Sequence, residues 1–195
     1  MQDFTDFYEF RAAALLKTGD ARRVHVMGVE SEIIKLSERW GADTHTCRVA
    51  ALLHDVTKCL APEEQLQLCE KYGIIVGMEE KADPGLLHSA TGAEVARSVF
   101  GASEEVCEAI RCHTTGKPYM NLLEKLLYLS DYIEPSRSFD KVHEVRSLAY
   151  VNLDDCLLLG FDLEIKLNIK KGRVIHPATL HARNALLFER KGIRS

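Results

Sequence analysis

The residues best suited to chemistry in this chain sit where ionisable groups are costly. His54 and Asp55 close the apolar run Ala50-Ala51-Leu52-Leu53, and Asp131 follows Leu123 and Leu127 at four-residue steps, on the inward stripe of a helix. His25 stands one turn ahead of Gly28 and Val29, on or beside the inward face of its own segment. An unpaired carboxylate withdrawn from water is strongly destabilising, so two acids so placed need strong partners. A divalent cation would satisfy both, with imidazoles from other helices completing its shell. Adjacent residues on a helix point about 100° apart, yet His54 and Asp55 can both reach forward around one edge. Asp55 has two oxygens and could bridge two ions while His54 binds one of them. His88 and His113, at a helix start and a helix end, are natural ligands for the second.

Each residue taken singly has an ordinary reading. His54-Asp55 could be a hydrogen-bonded pair, Asp131 could pair with Arg137 or Lys125, and His88 could cap a helix. His45, His143, His176 and His181 read as surface or packing residues. Cys107, Cys112 and His113 fit no zinc-knuckle spacing. What favours a metal centre is the ordered set His25, His54-Asp55, His88, His113 and Asp131, each at a helix position that a bundle can bring to one point.

The elements that must position this set are helical. The chain has 195 residues, 46% hydrophobic, with a net charge of -4, which suits one domain spanning 1–195. Its 25 basic and 29 acidic residues are interspersed, leaving no bulk electrostatic reason to expect nucleic acid as a partner. No apolar run approaches a membrane span, and the first residues lack the order of a signal peptide, so a cytoplasmic protein with reduced cysteines is expected. Five prolines and twelve glycines fall mostly between segments of helical period, giving an all-α fold. Helices are expected at 4–18, 21–40, 44–59, 62–72, 88–100, 103–113 and 121–133, with 73–86 a loop and 113–118 a tight turn. Beyond these, Leu163, Ile165, Leu167 and Ile169 alternate as a strand would. Leu159, Leu163 and Leu167 also share a helical face, and no second strand is available, so helix is expected there.

The ordered set resembles the signature of HD-domain metallophosphohydrolases. The words around it are HVMGV at 25–29, ALLHDVTK, LLHSATGAEVA, CHTTG, LSDYIEPSR and IHPATLHARN, and they are similar, in the same order, to those of the YqeK branch. The resemblance covers about 20–187 and implies an all-α HD-domain helical bundle. It also implies a homodimer with a two-iron centre that cleaves diadenosine tetraphosphate symmetrically into two ADP. Carried over by position, it makes His25, His54, Asp55 and Asp131 ligands of one ion, with Asp55 bridging to a second held by His88 and His113. Lys58 matches a lysine that contacts substrate phosphate, Arg137 a basic residue facing the polyphosphate, and Thr114, Thr115 and Gly116 a loop near the phosphates. Val56 and Thr57 lie where relatives vary, and Ser136 stands where asparagine is common; these departures bear on substrate fit.

The chemistry so implied is attack on an inner phosphorus by water activated between two ions about 3.5–4 Å apart. Lys58 would neutralise charge and Arg137 would steady the departing chain. ADP leaves readily enough to need no general acid. Donor softness alone admits iron, manganese, zinc or nickel, and the resemblance selects iron. The partner is then a dinucleoside polyphosphate or an ADP- or GDP-like nucleotide, held by metal and local cations in a mildly acidic protein. Two alternatives are an HD phosphohydrolase of another nucleotide, and a metal-bearing nucleotide sensor with little turnover.

Overall fold

In the computed structural model, which describes residues 6–193, every regular element is a helix. The chain runs α1 (Phe7–Thr18), α2 (Asp20–Trp40), α3 (Thr44–Leu53), α4 (Pro62–Tyr72), α5 (Met78–Ala82) and α6 (Leu87–Phe100). It continues through α7 (Glu104–Cys112), α8 (Leu122–Ile133), α9 (Val142–Ala149), α10 (Leu153–Lys170) and α11 (Pro177–Arg190). The caps explain the boundaries. The Asp6 carboxylate accepts from the backbone N–H groups of Tyr8 and Glu9 at 2.8 and 2.9 Å, so α1 begins at Phe7. The expected start at residue 4 lies outside the described residues. Asn121 and Glu124 form a reciprocal capping box on α8, and left-handed glycines at 41, 73 and 101 close α2, α4 and α6.

α2 lies along α3 and α8, and α7 bridges α6 to α8. α10 crosses α8 and carries α9 and α11 on its other sides. Val26, Val29, Ile33 and Leu36 of α2, the residues whose period marked that helix, are fully buried, as are Ala50 to Leu53 of α3. The last third is helical because Cys156, Leu157, Gly160 and Phe161 recur at three- and four-residue steps on the buried side of α10.

Two expectations need correction. The segment 73–86 holds the short helix α5 and a 3₁₀ turn at Pro84–Leu86, where the Asp83 side chain accepts from the Gly85 N–H at 3.0 Å. α3 ends at Leu53 instead of running to 59. Past it, i→i+3 bonds (Val56 N–H to Leu53 O, 3.2 Å; Lys58 N–H to Asp55 O, 3.0 Å) wind the chain more tightly than an α-helix. That tighter path carries His54 and Asp55 off the end of the helix and into the bundle. Of the six cysteines, five are buried and Cys59, in these turns, is exposed.

Gly116, expected in a loop near the phosphates, has a structural part in the turn after α7. It has a φ of 69°, and its N–H is committed to Cys112 O at 2.8 Å. A Cβ there would lie 2.6 Å from the Phe161 ring. Gly116 therefore lets the turn after α7 close onto α10 and offers no free N–H to a ligand. Gly116→Ala is expected to destabilise the fold by about 1–3 kcal/mol, through overpacking and the left-handed backbone. Urea unfolding of the two proteins checks this.

Candidate metal centre

The bundle brings the six expected ligands to one point. His25 comes from the middle of α2, His54 and Asp55 from the turns after α3, His88 from the first turn of α6, His113 from the C-cap of α7, and Asp131 from the last turn of α8. Asp55 is the hub. Its Oδ2 lies 3.6 Å from His25 Nε2 and 3.3 Å from His54 Nε2. Its Oδ1 lies 3.4 Å from His88 Nε2 and 3.9 Å from His113 Nε2. The two oxygens thus face different imidazole pairs. Asp131 Oδ1 closes the first group, 3.0 Å from His25 Nε2. Asp55 is wholly buried, whereas the Asp131 side chain is 18% exposed, so the centre opens to solvent on the α8 side.

The rings are held from behind. Nδ1 of His54 donates to Ala51 O at 2.7 Å, that of His88 to Gly85 O at 2.5 Å, and that of His113 to Ile110 O at 2.6 Å. A carbonyl only accepts, so each Nδ1 carries a proton and each ring turns its Nε2 inward. Burial, the His113 ring and Lys58 push His88 down to about 3. Burial and His54 push His113 down to about 4. Both rings are therefore neutral at neutral pH. Burial would raise the Asp55 carboxyl, but the neighbouring His54, itself raised by that carboxylate, outweighs it and holds the group well below the usual carboxylate range.

Such a donor set suits a cation. His25 Nε2, His54 Nε2 and Asp55 Oδ1 are buried without a hydrogen-bond partner, a costly condition unless a metal takes their electrons. The Nε2 atoms of His88 and His113 lie only 3.1 Å apart, a repulsive arrangement for two lone pairs. It is the spacing of neighbouring ligands each about 2.1 Å from one ion. Cys107 and Cys112 stay apart from this set; the Cys112 thiol donates to Ala109 O at 3.6 Å.

The remaining expected residues lie around the rim. Lys58 donates through Nζ to Gly85 O at 3.3 Å, the same carbonyl that orients His88. The Thr114 hydroxyl is 3.3 Å from Nε2 of both His88 and His113. The Thr115 hydroxyl donates to Gly116 O at 3.1 Å. Arg137 donates to Asp131 twice, at 2.9 Å to its carbonyl and 2.5 Å to Oδ1. It therefore orients an expected ligand as well as facing the opening, and Lys125 pairs instead with Asp154 at 2.7 Å. His143, His181 and His45 are exposed, as expected. His176 is more engaged than expected: it caps α11, lies 3.2 Å from Glu80 and lines a cavity beside Lys58.

Three contributors escaped the reading of the sequence. Arg22, one turn before His25 on α2, donates through Nε to Asp55 Oδ2 at 2.8 Å. The i, i+3 spacing to His25 was its available signal. Glu134 accepts from His25 Nδ1 at 3.1 Å and is itself held by the hydroxyl and the N–H of Ser136, the latter at 2.7 Å. Ser136 therefore acts on the orientation of His25. Gly28 completes the arrangement, since a Cβ there would lie 2.6 Å from Glu134 Oε2. Glu134→Gln is expected to weaken metal retention about 10- to 100-fold while leaving the fold intact. Metal titration against a competing chelator, alongside circular dichroism, checks this.

Comparison with known proteins agrees with this geometry. The HD domain model matches residues 22–136, which contain all six residues. The symmetrical bis(5'-nucleosyl)-tetraphosphatase of Bacillus subtilis is 36% identical, over 85% of this chain and 89% of its own length. Its namesake in Halalkalibacterium halodurans is 37% identical over 87% and 91%. Among solved structures, a Clostridium acetobutylicum protein described as a predicted HD superfamily hydrolase involved in NAD metabolism superposes with a TM-score of 0.90. It is 37% identical and covers 96% of this chain and 100% of that one. The chain belongs to the HD-domain family of hydrolases, and these two relatives, matched over most of its length, are named symmetrical bis(5'-nucleosyl)-tetraphosphatases.

Proposed function

We propose that this protein hydrolyses diadenosine tetraphosphate and related dinucleoside polyphosphates symmetrically, releasing two ADP from the former. The observation that carries the reading is the division of Asp55, whose two oxygens face separate imidazole pairs in a buried pocket. That division supports two ions, one held by His25, His54, Asp55 and Asp131 and the other by Asp55, His88 and His113. When bound, the ions supply Lewis acidity and lower the pKa of water. Iron follows from the family resemblance, and the imidazole and carboxylate donors equally accept manganese, zinc or nickel.

The chain's own residues do the positioning. In the reaction, water oxygen bonds to one inner phosphorus and the bridge to the other inner phosphorus breaks, its electron pair leaving with the departing ADP. Arg22, Lys58 and Arg137 surround the centre with cationic charge, which offsets the negative charge that a tetraphosphate brings. The Thr114 hydroxyl, within reach of both His88 and His113, is placed to donate to a phosphate oxygen. Burial of Asp55 and the four rings excludes bulk water and strengthens each of these interactions. The relatives' names support this substrate class. One unit spanning 1–195, a homodimer and a cytoplasmic setting belong to the same reading. No described helix is long and apolar enough to cross a membrane.

A phosphohydrolase acting on another nucleotide is the second reading, favoured by the description of the Clostridium acetobutylicum neighbour. Chromatography of products separates the two: two ADP from diadenosine tetraphosphate support the proposal, and free phosphate, a nucleoside or no reaction overturns it. Asp55→Ala and His54→Ala are each expected to lose bound metal and activity together, measured by metal analysis of protein purified without chelator. Lys58→Ala is expected to keep its metal and turn over about 10- to 100-fold more slowly, as for loss of a phosphate-neutralising charge.

A further inference from the structure

Two cavities meet at Thr114, beside the centre, and they are unlike. One, of about 440 Å³, touches His113 and Asp131 and is walled by Tyr132, Phe139, Leu163 and Leu167. The other, of about 680 Å³, lies at the Lys58 end and is lined by Thr115, Asn168, Arg173 and His176. Thr114 and Glu164 belong to both, so they mark the boundary. The volumes fall within the range of small-molecule sites. The HD domain match ends at residue 136, whereas Phe139 and the α10–α11 residues that complete both cavities lie beyond it.

The first cavity has the chemistry of a base slot. The Tyr132 and Phe139 rings pack against each other, 4.9 Å apart at 52°, and line the cavity as a half-buried aromatic wall. The buried Tyr128 ring stacks nearly parallel on Tyr132, at 6.2 Å and 18°, and stiffens that wall. Leu163 and Leu167 supply the apolar side, and Lys166 and Lys170 stand exposed at the rim. The second cavity has no aromatic residue other than His176; it is lined by hydroxyl, amide and cationic groups together with the Asp83 and Glu164 carboxylates. Its chemistry suits phosphate and ribose, with no surface on which a base would stack.

We propose that the centre divides two unequal subsites: the aromatic cavity binds the purine base of one nucleoside diphosphate half, and the polar cavity holds the other half by its phosphates alone. The inference rests on the proposed function and adds to it. A substrate that is symmetric about its middle is then read at one end only. A single nucleoside suffices, so adenosine 5'-tetraphosphate is a substrate. Water adds across the bond between its second and third phosphates, giving ADP and pyrophosphate.

The experiment uses the metal-loaded full chain. Wild-type protein is expected to convert adenosine 5'-tetraphosphate to ADP and pyrophosphate, with a KM close to that for diadenosine tetraphosphate. Tyr132→Ala is expected to raise both KM values about tenfold, with kcat nearly unchanged and with the inhibition constant of inorganic tetraphosphate, which has no base, unmoved. Tyr132→Phe, which keeps the ring, restores most of the lost affinity. Leu167→Glu, on the exposed side of α10, repeats the KM effect without removing a packed ring. KM values that do not respond to either wall substitution overturn the inference, as does a parallel rise in the tetraphosphate inhibition constant. Release of two ADP from the dinucleotide without cleavage of the mononucleotide overturns it and leaves the proposed function standing. Failure to release ADP from either compound overturns the function itself.

Discussion

The constraint on which the structure depends is the withdrawal of the Asp55 carboxylate from water. Its solvent exposure is nil, so its charge must be balanced by groups the fold brings to it. The Arg22 guanidinium pairs with it directly, and His25, His54, His88 and His113 converge on it, the five residues coming from four helices. Removing one buried partner leaves an uncompensated charge, which is why elements far apart in sequence are tied to one point. α2, α3, α6 and α7 pack around Asp55, and α8 closes the remaining side with Asp131.

A second layer keeps that arrangement narrow. Backbone carbonyls of Ala51, Gly85 and Ile110 set the tautomers of three rings, and Glu134 sets the fourth. Three of these acceptors lie three residues before the histidine they hold, so helical and turn geometry supplies them without dedicated side chains. Only His25, in the middle of a long helix whose carbonyls are already used, needs a side-chain acceptor. Ser136 and Gly28 matter because they hold and admit that acceptor.

The charge of the molecule fits the same logic. A chain of net charge -4 offers a polyanion no general attraction. Cations are instead concentrated where carboxylates are already buried: Arg22 on Asp55 and Arg137 on Asp131. Each is held by the acid it neutralises and so stands ready at the opening. Outside the HD core, α10 and α11 add the outer walls, which gives one catalytic centre a specific pair of cavities.

Most of the helices and all six residues that meet at the candidate metal centre were legible in the sequence, because both follow from local rules. Apolar residues at three- and four-residue steps fix which face of α2 or α8 turns inward, and a His or Asp on such a face is conspicuous. The tertiary structure decided what depends on approach between distant segments. The tight turns after Leu53, the burial of Gly116 under Phe161, the choice of Arg137 over Lys125 as partner of Asp131 and the Glu134–His25 contact across 109 residues leave no periodic trace. A helix declares its inward face through its own residues, but which group meets that face is set by packing against another segment.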